Sequence, residues 1–122
     1  MSKLKQLVEL ARPHLEPGET ILGAAQGAYR TTVLRMSTVR KGVLIATDRR
    51  VVFYAKKLAN FELESVAYQA ISSFEQGKDA GGHSITLVTP GRQVHLKWIA
   101  EGPDLDTLTR QIKAGMDSAR TR

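Results

Sequence analysis

Leu4, Leu7, Val8, Ala11 and Leu15 recur at steps of three and four residues, which puts them on one face of a helix and predicts an α-helix over residues 3–12. Pro13 ends it, because the proline ring disfavours helical geometry at Arg12, and Pro17-Gly18 supplies a turn. The segment ETILGAAQGAY (19–29) reads as a strand whose small residues permit close packing or a bend. Residues 30–41, RTTVLRMSTVRK, follow neither a two-residue nor a helical period and read as a long basic connection.

Two short β-branched and aromatic runs come next, VLIAT and RVVFYA. Pairing them across Asp48-Arg49 sets Ala46 against Val51, Ile45 against Val52 and Leu44 against Phe53. One face then carries Leu44, Ala46, Val51 and Phe53, the other Val43, Ile45, Val52 and Tyr54. Apolar residues on both faces predict strands with material packed on each side. Thr47 and Asp48 have short polar side chains suited to a turn, so Thr47-Asp48-Arg49-Arg50 reads as a solvated hairpin tip, with an anion site at Arg49 and Arg50 as the alternative.

FELESVAY alternates, with Phe61, Leu63 and Ser65 opposite Glu62, Glu64 and Val66, and predicts a half-exposed strand with the glutamates at a solvated edge. AISSFEQ predicts another short strand before a loop, GKDAGG. HSITLVT and RQVHLKW flank Pro90-Gly91, and a tight turn there pairs Leu87 with Val94, Ile85 with Leu96 and His83 with Trp98. That register places Trp98 on the apolar face beside Leu87. Gly102-Pro103-Asp104 opens a final helix over residues 103–118, whose apolar stripe is Leu105, Leu108, Ile112, Met116 and Ala119. The order is helix, about seven antiparallel strands, helix, within a length that suits one domain, 1–122.

Composition narrows the classes. Apolar residues at 42% and charged residues at 25% suit a globular chain, and the absence of cysteine excludes disulfides and thiolate chemistry, which fits a cytoplasmic setting. The N-terminus mixes charges with its leucines, unlike a secretory signal, and no apolar run approaches the ~18 residues of a membrane span. The net charge of +6 is local. Residues 30–57 hold eight basic residues against Asp48 alone, a net +7, while ten basic and eleven acidic residues elsewhere leave −1.

Catalytic and metal chemistry find little support. His14, His83 and His95 lie in three contexts without ligand spacing. Glu62 with Glu64 and Asp104 with Asp106 read as strand edge and helix-dipole complement, Ser72 and Ser73 lack an evident base, and Gly81-Gly82 precede a strand rather than the helix a phosphate cradle needs. No enzyme activity, cofactor or metal is expected.

LEPGETILGAAQG (15–27), GVLIATDRRVVFY (42–54) and YQAISSFEQGKDAGGHSITLVT (68–89) together resemble bacterial pleckstrin homology-like domains, the YokE-like group in particular. The resemblance spans residues 15–116. It implies a partly open barrel of seven strands in two near-orthogonal sheets, spanning about 19–98 and capped by the C-terminal helix, with the helix at 3–12 as an addition. In lipid-binding eukaryotic members, basic residues of the first two strands and their loop grip the headgroup, and Arg30, Arg35, Arg40 and Lys41 occupy a comparable region. With Arg49 and Arg50 they form a candidate anionic-surface site, while Leu34, Met36 and Val39 are candidate apolar residues of an interaction loop. The expected function is a noncatalytic module that binds a protein partner or itself, through a sheet edge or residues 30–41. Recruitment to an anionic membrane through 30–57 is the second reading. Nucleic acid is the third, weakened because a stacking platform needs exposed aromatics beside the cations.

Overall fold

The computed structural model describes residues 3–33, 36–56 and 60–120 of the chain. Helix α1 (Lys3–Ala11) gives way to a 3₁₀ turn at Arg12–His14, the change falling just before Pro13. Seven strands follow: β1 (Ile21–Val33), β2 (Met36–Thr47), β3 (Arg50–Lys56), β4 (Phe61–Ala67), β5 (Ser73–Asp79), β6 (Gly82–Thr89) and β7 (Arg92–Ile99). Helix α2 (Pro103–Arg120) closes the chain, with Pro103 at its start and Asp104 and Asp106 in its first turn.

All neighbouring strands are antiparallel, in the order β4-β3-β2-β1-β7-β6-β5. The two halves of the expected barrel are joined in one open sheet, because β1 pairs along its length with β2 and through Ala28, Tyr29 and Arg30 with β7. The β2–β3 hairpin has the register set by its apolar pattern, Leu44 opposite Phe53 and Ile45 opposite Val52.

Its two faces feed two cores. Leu44, Ala46, Val51 and Phe53 pack with Leu96, Ile99 and the α2 residues Leu105, Leu108 and Ile112 on one side of the sheet. Val43, Ile45, Val52 and Tyr54 pack with Leu7 and Ala11 of α1 on the other. At Gly23 the α2 backbone comes so close that an added Cβ would stand 3.2 Å from the Leu108 Cα.

Three expectations are corrected. Within 30–41, the described residues are not a connection: 30–33 extend β1 and 36–41 continue β2, pairing from Ala28 opposite Lys41 to Val33 opposite Met36. The backbone hydrogen bonds of a long antiparallel arm fix this segment where its mixed side chains give no period. GKDAGG is mostly strand, since β5 runs through Gly77-Lys78-Asp79 against β6 and only Ala80-Gly81 turn, with Asp79 Oδ1 accepting the Gly81 amide at 2.8 Å.

The third is Trp98, which is 47% exposed rather than buried beside Leu87. The β6–β7 register holds from the turn to Ile85 opposite Leu96, then shifts so that His83 faces Ile99. Lys97 and Trp98 thus oppose the single residue Ser84, a bulge in which Trp98 adopts φ 59°. Ile99 takes the core position, 1% exposed, and the indole turns outward beside Gly81 with Lys97 Nζ 4.2 Å from its ring centre.

Urea unfolding checks this inversion. Ile99→Ala is expected to cost about 3 kcal/mol as a buried truncation, and Trp98→Ala about 1 kcal/mol or less as a surface one. The order reverses if the indole fills the core.

Candidate interaction surface

The tip of the β2–β3 hairpin is clamped rather than free. Glu19 reaches it with a side chain that has no solvent exposure. Its Oε2 accepts from Thr47 Oγ1 at 2.6 Å and Arg50 Nε at 2.9 Å, and its Oε1 accepts from Arg50 Nη2 at 3.0 Å and the Glu16 amide at 2.9 Å. Thr47 Oγ1 accepts the amides of Arg49 and Arg50, both at 3.1 Å. Asp48 Oδ1 accepts the Thr20 amide at 2.9 Å, the Asp48 amide donates to the Thr20 carbonyl at 3.0 Å, and the Tyr68 hydroxyl donates to the Thr47 carbonyl at 2.6 Å.

Burial alone would push the Glu19 carboxyl up. The bonds from Arg50, Thr47 and the Glu16 amide together outweigh it and hold the group at about 2. Burial, with Asp48 and Glu19 nearby, pushes the Tyr68 hydroxyl up to about 12, which keeps it a proton donor. Proline-glycine-glutamate and threonine-aspartate-arginine-arginine are thus two halves of one staple. Arg49 is held more loosely, with Nη1 3.8 Å from Glu16 Oε2 and Nη2 3.4 Å from the Pro17 carbonyl.

The other expected site residues do not join Arg49 and Arg50. Arg40 lies seven residues back along β2, about 23 Å at ~3.3 Å per residue. Strand alternation puts it on the Leu44 side of the sheet, where its Nε lies 3.2 Å from Glu62 Oε2. Glu62 stands on the edge strand β4 but is part of an ion pair with its side chain 23% exposed, rather than the freely solvated group expected of it. Arg30 pairs with Val39 and His95 on neighbouring strands. Val39 is exposed, and alternation places it with Lys41 on the Val43 side of β2. Met36 begins β2, while Leu34 and Arg35 lie outside the described residues.

Lys41 leads to a different grouping. A cleft of about 470 Å³ runs between α1 and the outer face of β1, β2 and β3, lined by Lys3, Lys41, Lys56, Gln6 and Gln26 over Leu7 and Leu10. Lys3 and Leu7 come together through the four-residue helical step, and Lys41 and Lys56 each lie two residues beyond the Val43–Tyr54 pair on their strands. Lys41 and Gln26 also line an adjoining cleft of about 320 Å³ with Gly27, Ala28, Ala100 and Trp98. The nearby His95 ring, 2.8 Å from Thr86 Oγ1, is held below its ordinary value by burial, then by Arg30 and Lys97. Lys3, Gln26 and Trp98 were not candidates from the sequence. Lys41 and Lys56 were countable across the hairpin, but Lys3 joins them only because α1 docks there.

Among the described residues no three His, Asp or Glu converge as metal ligands, and no helix is long and apolar enough to cross a membrane. Residues 15–114 match the Bacterial PH domain family, and the chain belongs to it. Two solved structures share the fold. The C-terminal domain of an unknown protein from Leishmania infantum is 18% identical with a TM-score of 0.64, over 95% of this chain and 97% of that one. A DUF1696 family protein with a pleckstrin-homology domain from Shewanella loihica PV-4 is 18% identical with a TM-score of 0.57, over 95% and 99%. No curated protein matches the chain.

Removing one partner of the enclosed Glu19–Arg50 pair strands the other, so Arg50→Ala is expected to lower unfolding free energy by about 3 kcal/mol. Glu19 has a folded value of about 2 against 4.5 ordinarily. Its contribution is therefore complete above about pH 4.5 and fades as pH falls from there toward 2. Thermal melts across that window should decline more steeply for the native chain than for Glu19→Gln, and equal slopes would contradict the staple.

Proposed function

We propose that this bacterial PH domain, of the YokE-like group by its LEPGE and TDRR segments, is a cytoplasmic noncatalytic module that captures an extended segment of a protein partner along the free edge of β5. The observation that carries this reading is the open side of that strand. Among the described residues β5 ends the sheet, pairs only with β6, and is exposed from Glu75 to Asp79. An edge strand presents alternate N–H and C=O groups that an incoming strand can satisfy, which is a general mode of peptide recognition. Glu75, Lys78 and Asp79 keep such an edge from indiscriminate pairing while leaving its backbone available.

A groove of about 370 Å³ runs beside this edge toward α2, floored by Phe74 and Met116 and bordered by Lys113, Asp117 and Arg120. It offers a place for one apolar side chain of the added strand, with charged groups at the rim. The opposite edge, β4, is less suited: Phe61 stacks on His14 with ring centres 4.0 Å apart and Glu62 is tied to Arg40.

Peptides selected from a random display library test the reading. Bound peptide is expected to slow amide exchange across Ser73–Asp79. N-methylation at one alternate set of peptide positions should abolish binding while the other set tolerates it, because only alternate amides face the edge. Peptides that leave β5 exchange unchanged, or that tolerate both methylation sets, would sink it. Protection of β5 in a dimer of the chain without peptide would assign the edge to self-association instead.

A further inference from the structure

We propose that the outer face of the sheet beside α1, where Lys41, Ala28 and Lys97 stand in a row across β2, β1 and β7, docks an acidic amphipathic helix of a protein partner. The layer covering this side is incomplete. Leu7 and Ala11 of α1 seal Val43, Ile45, Val52 and Tyr54 on β2 and β3, and among the described residues that core takes none from β6 or β7. Past the helix the same face continues in two rows: Val39, Arg30 and His95, then Lys41, Ala28 and Lys97. Leu10, Val39 and Trp98 are large apolar side chains left exposed, and they gather around Lys41. Leu10 lines one cleft with it, Trp98 lines the adjoining one, and Val39 lies two residues away on the same side of β2.

Charge sets the chemistry of the occupant. Among the described residues the linings of both clefts contain lysine and no carboxylate, and Arg30 and Lys97 extend the basic field across β1 and β7. The carboxylate of Asp79 also reaches His95, but Arg30 and Lys97 each act on that ring more strongly. A negatively charged partner is attracted, and the apolar side chains exposed among the cations favour one that brings apolar groups as well. A second copy would bring like charge, since the chain carries +6.

Backbone pairing sets its form. At Ala28, Tyr29 and Arg30, β1 is paired with β2 on one side and β7 on the other, so it has no strand edge to offer. Docking goes through side chains, and a helix presents them in a compact stripe, as α1 does on the same face. Lys41 and Lys97 flank Ala28 two strand spacings apart, about 10 Å, close to the width of a helix. Between them Gly27, Ala28 and Ala100 are small, Trp98 forms a wall, and the slot of about 320 Å³ admits a leucine or methionine side chain. Carboxylates on the two flanks of the incoming helix then meet the two ammoniums. The indole suits a wall better than a wedge for lipid. It lies against Gly81, where an added Cβ would stand 2.8 Å from its Cδ1, and it carries the Lys97 ammonium over its ring. This surface is apart from the β5 edge, and neither reading rests on the other.

A display library of amphipathic helices, with leucine on one face and glutamate, lysine or serine drawn at random on the flanks, tests this. Selected helices are expected to be rich in glutamate, and their binding should shift Trp98 emission to the blue, because the single indole walls the slot. Lys41→Glu should weaken binding about tenfold or more, and Trp98→Ala about thirtyfold. Both positions are exposed, so the variants should fold as the native chain does. Lys78→Glu on the β5 edge makes the same change of charge and should leave affinity unchanged. The proposal is overturned if the library returns no binder or basic ones, if Lys78→Glu costs as much as Lys41→Glu, or if emission stays unchanged on binding. Flotation with phosphatidylcholine vesicles containing phosphatidylglycerol is the second arm. Binding there that Lys41→Glu removes, with no helix selected, would overturn it by assigning the face to a membrane.

Discussion

The β2–β3 hairpin is apolar on both faces, and the rest of the architecture answers that constraint. A sheet with one wet face would leave either Leu44 and Phe53 or Val43 and Val52 in water, at roughly 1.5–3 kcal/mol for each large side chain. Both helices resolve it. α2 covers one side and α1 the other, so that the four central pairs of the hairpin are 0–3% exposed. A nine-residue helix has little stability of its own, and α1 holds its shape through Leu7 and Ala11 against this surface. α1 lies outside residues 15–114 matched by the family, yet it completes both the second core and the basic cleft.

Local order in the sequence foretold what local order decides. The registers at Leu44–Phe53 and Leu87–Val94 were legible because alternation and turn chemistry agree there, and α2 was legible from its stripe and its Pro103-Asp104 start. The strand at 36–41 was not, because threonine, serine and arginine interrupt its alternation and its partner on β1 supplies the order. Trp98 was misplaced for a different reason. Parity assigned it to the core, and one extra residue in β7 moved Ile99 there in its stead.

The charges separate into two kinds that the sequence shows as one block. Arg50 and Glu19 stand 31 positions apart, so their pairing has no local spacing to betray it, although both halves of the staple fall within segments that resemble the family. The turn at Thr47–Arg50 holds, but not the solvated tip expected there: Thr47 is fully buried and its hydroxyl organises the two amides that follow. Lys3, Lys41 and Lys56 line one cleft, and their convergence depends on a docked helix rather than on proximity along the chain.

The outward turn of Trp98 has a practical side. The protein has a single indole, and it sits on a bulge, half in solvent, with an ammonium at its ring. Intrinsic emission will accordingly behave as a gauge of surface surroundings at that bulge more directly than of the loss of the hydrophobic interior. An optical record of denaturation needs the chirality of the peptide bonds, or the enclosed rings of Tyr29 and Tyr54, to register collapse of the cores themselves.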